Sequence, residues 1–194
     1  MAILDWIYPK KCLGCGVGGR YVCEECQRGI ERRGESLKYV GIVRQAIKEI
    51  KYRGVYDLVD ELVEIWNPSR LDGVNIVTCV PMWKGKLLKR GYNQAELIAK
   101  NLAERWGVKY LDLLVRTRET KPMYGLSKAG RLENIQDAFE LSSVGRAICL
   151  NASLRTTRIV LVDDVMTSGA TIRECKNTLN MLPNTQIYTI ALSK

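Results

Sequence analysis

The sequence predicts an α/β fold, with a doubly wound parallel sheet preceded by a small N-terminal module that contains four clustered cysteines. Short β-branched segments alternate with segments of helical periodicity along most of the chain, a pattern typical of parallel sheets covered by helices. The first 34 residues differ from the rest, because cysteines and glycines are concentrated there. We therefore predict a cysteine module at residues 1–34 and an α/β domain at residues 35–194.

Two C-x-x-C pairs in the cysteine module have the spacing of a zinc site. The pattern is C-x2-C-x7-C-x2-C, formed by Cys12, Cys15, Cys23 and Cys26. Each pair can place two thiolates on one metal, and two pairs complete a tetrahedral site. Four free thiols or a redox pair are the alternatives. A module this short has little core, so we predict a closed, structural zinc site that supplies much of its folding energy.

The first half of the α/β domain contains three predicted helices and one strand. Apolar residues recur at helical spacing from about 39 to 66, and we expect two helices separated near Tyr52-Arg53-Gly54. Residues 74–80, VNIVTCV, predict a buried parallel strand that ends at Pro81. A basic loop follows, and then a helix from about Gln94 to Trp106 that Gly107 closes.

The second half of the domain has a weaker pattern before its last three elements. Residues 116–134 are polar and lack periodicity, so we expect a long loop, and long loops inside compact domains are usually functional. The other expected elements are a strand at 108–115, irregular short strands at 135–155, a strand at 158–163, a helix from about Ala170 to Met181 and a strand at about 185–192. The cysteines outside the cluster lie in apolar contexts and are predicted core residues. They are Cys79, Cys149 and Cys175.

The composition restricts the class of function. Hydrophobic residues make up 46% of the 194 residues, which is enough for a full core, and histidine is absent, which excludes Ser-His-Asp and Cys-His catalysis. The net charge of +9 is explained either by the general solubility of a basic protein or by a polyanionic partner, such as a phosphorylated substrate, nucleic acid or an anionic membrane. No run of about 18 apolar residues occurs. The N-terminus also lacks a basic region followed by an apolar stretch, so we expect a cytoplasmic protein without a transmembrane segment.

Residues 158–171, RIVLVDDVMTSGAT, are the strongest candidate for a ligand site. Ligands of parallel sheets bind beyond the carboxyl ends of the strands, where Asp163 and Asp164 are expected. The small and hydroxyl residues that follow would occupy a tight loop and the first turn of a helix, whose free N–H groups favour an anion. The acids suit sugar hydroxyls or a divalent cation. A phosphorylated ribose fits both halves of this turn.

Three other interpretations of this segment are weaker. A Walker B strand would require a G-x-x-x-x-G-K-[ST] motif elsewhere, and the chain contains none. A G-x-G-x-x-G dinucleotide fingerprint after a strand is also missing. Helix capping by Thr167 or Ser168 accounts for one hydroxyl, but it leaves the other hydroxyls and both acids unexplained.

These motifs resemble a known family. VLVDDVMTSGAT is similar to the phosphoribosyl-pyrophosphate (PRPP) binding motif of type I phosphoribosyltransferases. The four-cysteine module, Lys51-Tyr52-Arg53-Gly54, the segment RGYNQAELIAKNLA and the segment GLSKAGRLENIQDAF together resemble the ComF/GntX-type family of competence-associated, phosphoribosyltransferase-like proteins. The resemblance extends over nearly the whole chain and implies a type I phosphoribosyltransferase-like fold.

The resemblance also implies a set of site residues. Asp163 and Asp164 would be the catalytic pair, facing the ribose hydroxyls and a Mg2+ ion bound with PRPP. The loop that holds the 5′-phosphate would comprise Met166, Thr167, Ser168, Gly169, Ala170 and Thr171. The pyrophosphate would lie near the basic loop after the 74–80 strand, which carries Lys84, Lys86, Lys89 and Arg90; a solvated basic surface is the alternative. A mobile cover over the site would contribute Arg116, Arg118, Lys121 and Arg131.

The resemblance leaves two functions open. The first is a Mg2+-dependent phosphoribosyltransferase, linked to DNA uptake in natural transformation, whose acceptor the sequence does not identify. The second is a non-catalytic scaffold that joins a helicase-type competence ATPase at the inner face of the membrane and binds single-stranded DNA in a basic groove. The candidates for base stacking are Trp6, Trp66, Trp83 and Trp106. The intact acidic pair favours retained ligand binding over a pure scaffold.

Overall fold

The structure is a computed structural model, and it describes residues 9–121, 125–150 and 156–194. The chain forms two compact units. The first ends at Pro68 and includes Ser193–Lys194, and the second is Ser69–Leu192. The division into domains at residues 1–34 and 35–194 stays a prediction.

The first unit contains a pair of helices and a small hairpin after the cysteine segment. Its elements are α1 (Glu24–Arg28), β1 (Arg32–Arg33), β2 (Ser36–Leu37), α2 (Gly41–Arg53) and α3 (Leu58–Trp66). Strands β1 and β2 pair antiparallel, and Leu37 of β2 pairs in parallel with Ser193. The predicted pair of helices is confirmed, with the break where the sequence placed it.

The ends of α2 and α3 follow from local backbone conformation. Gly54 closes α2 with a φ of 68°, and Asn67 closes α3 with a φ of 39°, both in the left-handed region where a helix cannot continue. The two helices pack together through the apolar faces that their periodicity predicted. Their buried residues include Val43, Ala46, Ile47, Ile50, Leu58, Leu62 and Trp66.

The second unit alternates strands and helices around a sheet. Its elements are β3 (Val74–Cys79), α4 (Lys84–Arg90), α5 (Gln94–Trp106), β4 (Lys109–Tyr110), β5 (Leu114–Arg116), α6 (Lys128–Ile135), β6 (Phe139–Leu141), α7 (Ser143–Leu150), β7 (Thr157–Val165), α8 (Ala170–Leu179) and β8 (Thr185–Ser193). The strand order is β8-β7-β3-β4, and β3 runs parallel to both β4 and β7. Strands β5 and β6 form a separate antiparallel pair. The predicted α/β class with a parallel sheet is confirmed.

Several weaker predictions for the second unit are wrong. The basic segment after β3 contains the short helix α4 instead of a loop, and residues 108–115 divide between β4 and β5, which belong to different sheets. The expected loop at 116–134 contains most of α6. Of the short strands expected at 135–155, β6 is present, but α7 follows it, and residues 151–155 lie outside the described part. These elements are only two to eight residues long, and apolar runs that short do not distinguish helix from strand.

The sheet core holds β7 in place and so positions its carboxyl end. Helix α5 packs against β3 and β7, and residues 159–162 of β7 are completely buried. Cys79 and Cys175 are core residues, as predicted, whereas Cys149 is only half-buried at the edge of the core. Within the three described ranges, no helix has the length and apolar character needed to cross a bilayer.

Candidate functional site

The acidic pair lies at the carboxyl end of β7, where the sheet interior meets solvent. Strand β7 extends to Val165, so Asp163 and Asp164 belong to its last residues instead of following it, and both are half-buried. Each carboxylate accepts a hydrogen bond from the next backbone N–H, with Asp164 N 2.8 Å from Asp163 Oδ1 and Val165 N 2.7 Å from Asp164 Oδ1. These bonds fix the direction of both side chains relative to the strand.

The loop between β7 and α8 has the backbone shape of an anion site. Gly169 is the N-cap of α8 and has a φ of 71° and a ψ of 8°, a left-handed conformation that residues with a Cβ rarely adopt. The Ser168 hydroxyl accepts a hydrogen bond from Ala170 N at 3.4 Å. Helix α8 is ten residues long, and its first N–H groups lack partners within the helix. A negative group at this position is therefore favoured.

This loop surrounds a small recess. Its lining consists of Asp163, Val165, Met166, Thr167, Ser168, Gly169, Ala170, Thr171 and Ile172. Every loop residue predicted to hold a 5′-phosphate is part of that lining. The recess has a volume of about 20 Å³, so it has room for one small group but not for a whole nucleotide.

The start of α5 lies at the same edge of the sheet as the acidic pair. Val80, which follows β3, donates its N–H to Val162 O at 2.9 Å, directly before Asp163. The buried Asn93 caps α5 through Ala95 N and also donates from Nδ2 to Val80 O at 2.9 Å. The structure therefore connects the RGYNQ segment to the end of β7 through backbone atoms of the sheet.

The four cations predicted to bind pyrophosphate differ in exposure. Arg90 is half-buried and donates to Gln94 Oε1 at 2.6 Å. Lys84, Lys86 and Lys89 are exposed on α4, and Lys84 lies over the Trp83 ring. Arg90 thus belongs to the folded edge of the sheet, whereas the three lysines face solvent. Their role toward pyrophosphate stays a prediction, with a solvated basic surface as the alternative.

The predicted cover segment is held by hydrogen bonds within the described residues. Arg118 donates to Asn134 O and Gln136 O, and Arg131 Nε donates to Leu126 O at 3.1 Å. Asn134 exchanges two hydrogen bonds with the backbone of Lys121, at 3.0 and 2.9 Å. Residues 122–124 lie outside the described part. The segment therefore has a fixed base, formed by β5 and α6.

Arg116 is half-buried, as is Arg131, and it differs from the other cover residues in its contacts. Its guanidinium donates to Thr120 and stacks over Phe139, 5.5 Å from the ring centre, and its buried Nε has no hydrogen-bond partner within the described residues. Burial lowers the pKa of Arg116, and the negative charge of Asp163 is among the influences that oppose this shift. The side chain is thus a partly desolvated cation that the charge of Asp163 helps to stabilise.

A second candidate site is the cysteine cluster of the first unit. The Sγ atoms of Cys12, Cys15, Cys23 and Cys26 all lie within 4.8 Å of one another. Four sulfurs around zinc, each at about 2.3 Å from the metal, would be about 3.8 Å apart. The 3.6 Å between the sulfurs of Cys15 and Cys23 is close to this value and too long for a disulfide. The cluster could therefore hold a metal ion such as zinc.

The backbone around the cluster is shaped for closely spaced sulfurs. Gly14 N and Cys23 N lie 3.4 and 3.5 Å from Cys12 Sγ, and both donate to it. Burial raises the pKa of the Cys12 thiol, but the backbone hydrogen bonds, the largest effect coming from Cys23, outweigh it and lower the pKa to about 6. A Cβ at Gly14 would lie 2.7 Å from Cys26 Sγ. Glycine is required there because a sulfur approaches the backbone too closely for a side chain.

Sequence reasoning missed two residues that the structure places at these sites. Glu61 is a buried carboxylate on α3 that accepts a hydrogen bond from Val22 N, beside the cysteine cluster. Its signal was a charged residue between the apolar positions Leu58 and Leu62. Gln94, at the first turn of α5, is also buried, and its Nε2 has no partner within the described residues. No pattern in the sequence distinguished Gln94 from an exposed helix residue.

Comparison with curated proteins identifies relatives. The chain is 33% identical over 116 residues to Competence protein F of Haemophilus influenzae, a match that covers 59% of this chain and 48% of the relative. It is 30% identical over 118 residues to DNA utilization protein YhgH of Escherichia coli K12, covering 58% and 48%. The matches span about half the length of these relatives. No protein-family model matches the chain.

Among solved structures, the chain is similar to adenine phosphoribosyltransferase from Thermoanaerobacter pseudethanolicus. The TM-score is 0.41 at 19% identity, over 74% of this chain and 70% of that one. The two curated relatives match at much higher sequence identity. The similarity to these two relatives agrees with the resemblance to the ComF/GntX-type family that the motifs carry.

Proposed function

We propose that the chain binds PRPP, or a related phosphorylated ribose, with Mg2+ at the carboxyl end of β7, and that it transfers the phosphoribosyl group to an acceptor. The observation that carries this proposal is the junction of β7 and α8. Two half-buried carboxylates there lead directly into a loop with a left-handed Gly169 and a recess at a helix N-terminus. The acids suit hydroxyls and a hard cation, and the loop suits a phosphate.

Each group of residues at the site would bind the part of the ligand that matches its chemistry. Backbone N–H groups and hydroxyls of the loop hold the 5′-phosphate, and Asp163 and Asp164 orient the ribose. When bound, Mg2+ supplies positive charge that offsets the charge of the departing pyrophosphate. The half-buried arginines Arg90, Arg116 and Arg131 would supply positive charge to the phosphates, and a half-buried cation acts more strongly on charge than an exposed lysine. No covalent nucleophile is needed, so the absence of histidine is compatible with this chemistry.

The names of the relatives support a biological setting for this activity. Competence protein F and DNA utilization protein YhgH are named for competence and for the use of DNA. We therefore propose that the chain acts in DNA uptake during natural transformation. We also propose that it acts in the cytoplasm, with peripheral association at the inner face of the membrane as one form of this location. Its seven free cysteines are compatible with a reducing compartment.

A thermal-shift titration tests ligand binding. PRPP with Mg2+ is expected to raise the melting temperature of the wild-type chain, because a ligand that binds only the folded state stabilises it. Asp164→Asn is expected to abolish the shift. The matched control is Asp72→Asn, an exposed aspartate near the start of β3, which should keep the shift. Absence of any shift for the wild type at millimolar PRPP would contradict the proposal.

Turnover needs a separate measurement. Release of pyrophosphate from PRPP, screened over nucleobases and small amines, is expected for at least one acceptor and should disappear in Asp163→Asn. Tight PRPP binding without release in any reaction would instead favour a binding module that has kept the ligand site.

One observation favours a second candidate function, a scaffold that binds single-stranded DNA and a helicase-type ATPase. Trp66 and Trp106 are buried, Trp83 is half-buried, and Trp6 lies outside the described residues, so tryptophans give this function little support. Tyr52 is 74% exposed at the end of α2, a helix whose exposed residues include Arg44, Lys48 and Arg53. An exposed aromatic ring among cations is the arrangement that stacks bases and contacts phosphates.

Fluorescence anisotropy with labelled oligothymidine distinguishes this second candidate. Tyr52→Ala is expected to weaken binding, and the affinity should fall steeply with salt. Tyr188→Ala, an exposed tyrosine on β8, is the matched control. An equal affinity of wild type and Tyr52→Ala would exclude base stacking on α2.

A further inference from the structure

Three acidic residues, the N-cap of α3 and two residues within the helix, contact the cysteine segment. Asp57, Glu61 and Glu64 follow one another at helical spacing, so they share one side of the helix. Asp57 Oδ2 lies 2.6 Å from Lys10 Nζ. Glu61 Oε2 accepts from Val22 N at 3.0 Å, and Glu64 Oε2 lies 2.8 Å from Arg20 Nη2. Each acidic residue therefore contacts a residue that lies before or between the two C-x-x-C pairs.

The three acidic residues are not equivalent, because only Glu61 is buried. The side chains of Asp57 and Glu64 are 48% and 55% exposed, so water and salt screen their ion pairs. Glu61 as a residue is only 8% exposed. A buried carboxylate that loses its donor is costly, and so is a buried N–H that loses its acceptor. The bond between Glu61 and Val22 is therefore the contact that the folded unit cannot easily exchange for water.

The Glu61 bond acts directly on the geometry of the cysteine cluster. Val22 is completely buried and immediately precedes Cys23. The next N–H along the chain, that of Cys23, donates to Cys12 Sγ. Holding Val22 thus sets the position of the second C-x-x-C pair relative to the first. All four sulfurs can approach one metal only when both pairs have this arrangement.

We infer that Glu61 is a positioning residue that couples metal binding at the cysteine cluster to the folding of α2 and α3. The metal site and the pair of helices are then one cooperative unit. A metal module that folds by itself within residues 1–34 would behave differently, because its loss would leave the helices intact. This inference rests on the proposed metal site and is independent of the proposed PRPP site.

Hydrogen exchange on the wild-type chain tests the coupling without any substitution. Zinc is first quantified in the purified 194-residue chain and then removed with a chelator. We expect exchange to accelerate in α2 and α3 as well as in residues 10–28, and addition of zinc to reverse both effects. Acceleration confined to residues before 34 overturns the inference. A wild-type chain that binds no zinc also overturns it, and shows that the metal proposal itself has failed.

Matched variants test whether Glu61 is the residue that couples the cysteine cluster to the helices. In a competition with a coloured chelator, Glu61→Leu is expected to lower zinc affinity about 10- to 100-fold, the usual effect of losing a partner that orients metal ligands. Glu64→Leu on the same helix should change it by less than about threefold, because its ion pair is exposed. Glu61→Gln keeps an acceptor for Val22 and should restore most of the affinity. Equal affinities for Glu61→Leu and Glu64→Leu would overturn the role of Glu61.

Discussion

The cysteine cluster and the loop after β7 are built in opposite ways. The cluster uses four side chains, spread over 15 residues from Cys12 to Cys26, and relies on a buried carboxylate from a distant helix to align them. The proposed phosphate site in the loop would use consecutive residues, with backbone N–H groups at the start of α8 as most of its donors. The first site therefore depends on tertiary packing, whereas the second is set by one local turn at the end of a buried strand.

This difference predicts how each site responds to damage. Metal coordination needs all four ligands, so the loss of one sulfur removes most of the binding free energy. Anion binding at a helix N-terminus sums several weaker donors, so single changes should reduce affinity in steps. Four substitutions test this contrast, from the largest expected effect to the smallest.

Cys23→Ser is expected to have the largest effect. Structural zinc contributes about 10 kcal/mol or more to the folding of small modules, and three remaining sulfurs cannot close the tetrahedral site. We expect metal analysis to show far less than one zinc per chain and the first unit to unfold at a lower temperature. Cys149→Ser, a half-buried cysteine outside the cluster, is the control and should retain the metal. Full metal content in Cys23→Ser would show that the cluster is not the site.

Gly14→Ala should weaken the metal site without removing a ligand. The new Cβ would lie 2.7 Å from Cys26 Sγ, so the sulfur or the backbone must move away from the position that the metal requires. We expect about a tenfold loss of zinc affinity, comparable to the loss of an orienting partner. Gly18→Ala is the matched control, since its Cβ would meet only Lys10 O at 3.9 Å. Equal zinc affinities for the two variants would contradict this steric explanation.

Gly169→Ala should affect stability and ligand binding together. A left-handed φ costs a residue with a Cβ about 1–2 kcal/mol, and relief of this strain would distort the recess. Gly107→Ala, at the end of α5 with a φ of 63°, carries the same backbone cost away from the loop. We expect both variants to have a lower melting temperature and to unfold at a lower denaturant concentration. Only Gly169→Ala should also lose affinity for PRPP. Parallel loss of affinity in both would mean that stability alone controls binding.

Lys86→Ala should have the smallest effect. Lys86 is exposed on α4, and an exposed contact with a phosphate contributes less than about 1 kcal/mol, or at most about fivefold in affinity. We expect a small loss of PRPP affinity by calorimetry that vanishes at high salt. Lys176→Ala, exposed at the end of α8, should be neutral. A loss of 100-fold in Lys86→Ala would show that α4 closes over the ligand.

The accuracy of sequence-based prediction followed the strength of the local pattern. Helix α5 begins at Gln94 and ends at Trp106 as predicted, because its apolar stripe spans several turns and both ends carry capping residues. Helices α4, α6 and α7 were missed, because each has at most eight residues and packing outweighs propensity at that length. In α7, Gly145 lies so close to Leu113 O that no Cβ would fit, a constraint invisible without the neighbouring element.

The sites show the same division. The positions of Asp163, Asp164 and the loop from Met166 to Thr171 were predictable, because a strand end and a helix start are adjacent in sequence. Their role in binding stays a prediction. The sequence did not distinguish buried from exposed residues among the cations assigned to pyrophosphate, because the spacing of cations does not indicate burial. The structure shows Arg90 to be half-buried beside Gln94 and leaves Lys84 exposed.

The sequence by itself determined the α/β class, the strand with two aspartates near its carboxyl end and the spacing of the four cysteines. These features depend on residues that are close in sequence, so the local sequence pattern is enough to predict them. Only the tertiary structure decided that Glu61 holds the cysteine segment, that Arg116 is desolvated beside Phe139, and that β4 and β5 belong to different sheets. Burial and long-range hydrogen bonds are produced by parts of the chain that meet only on folding.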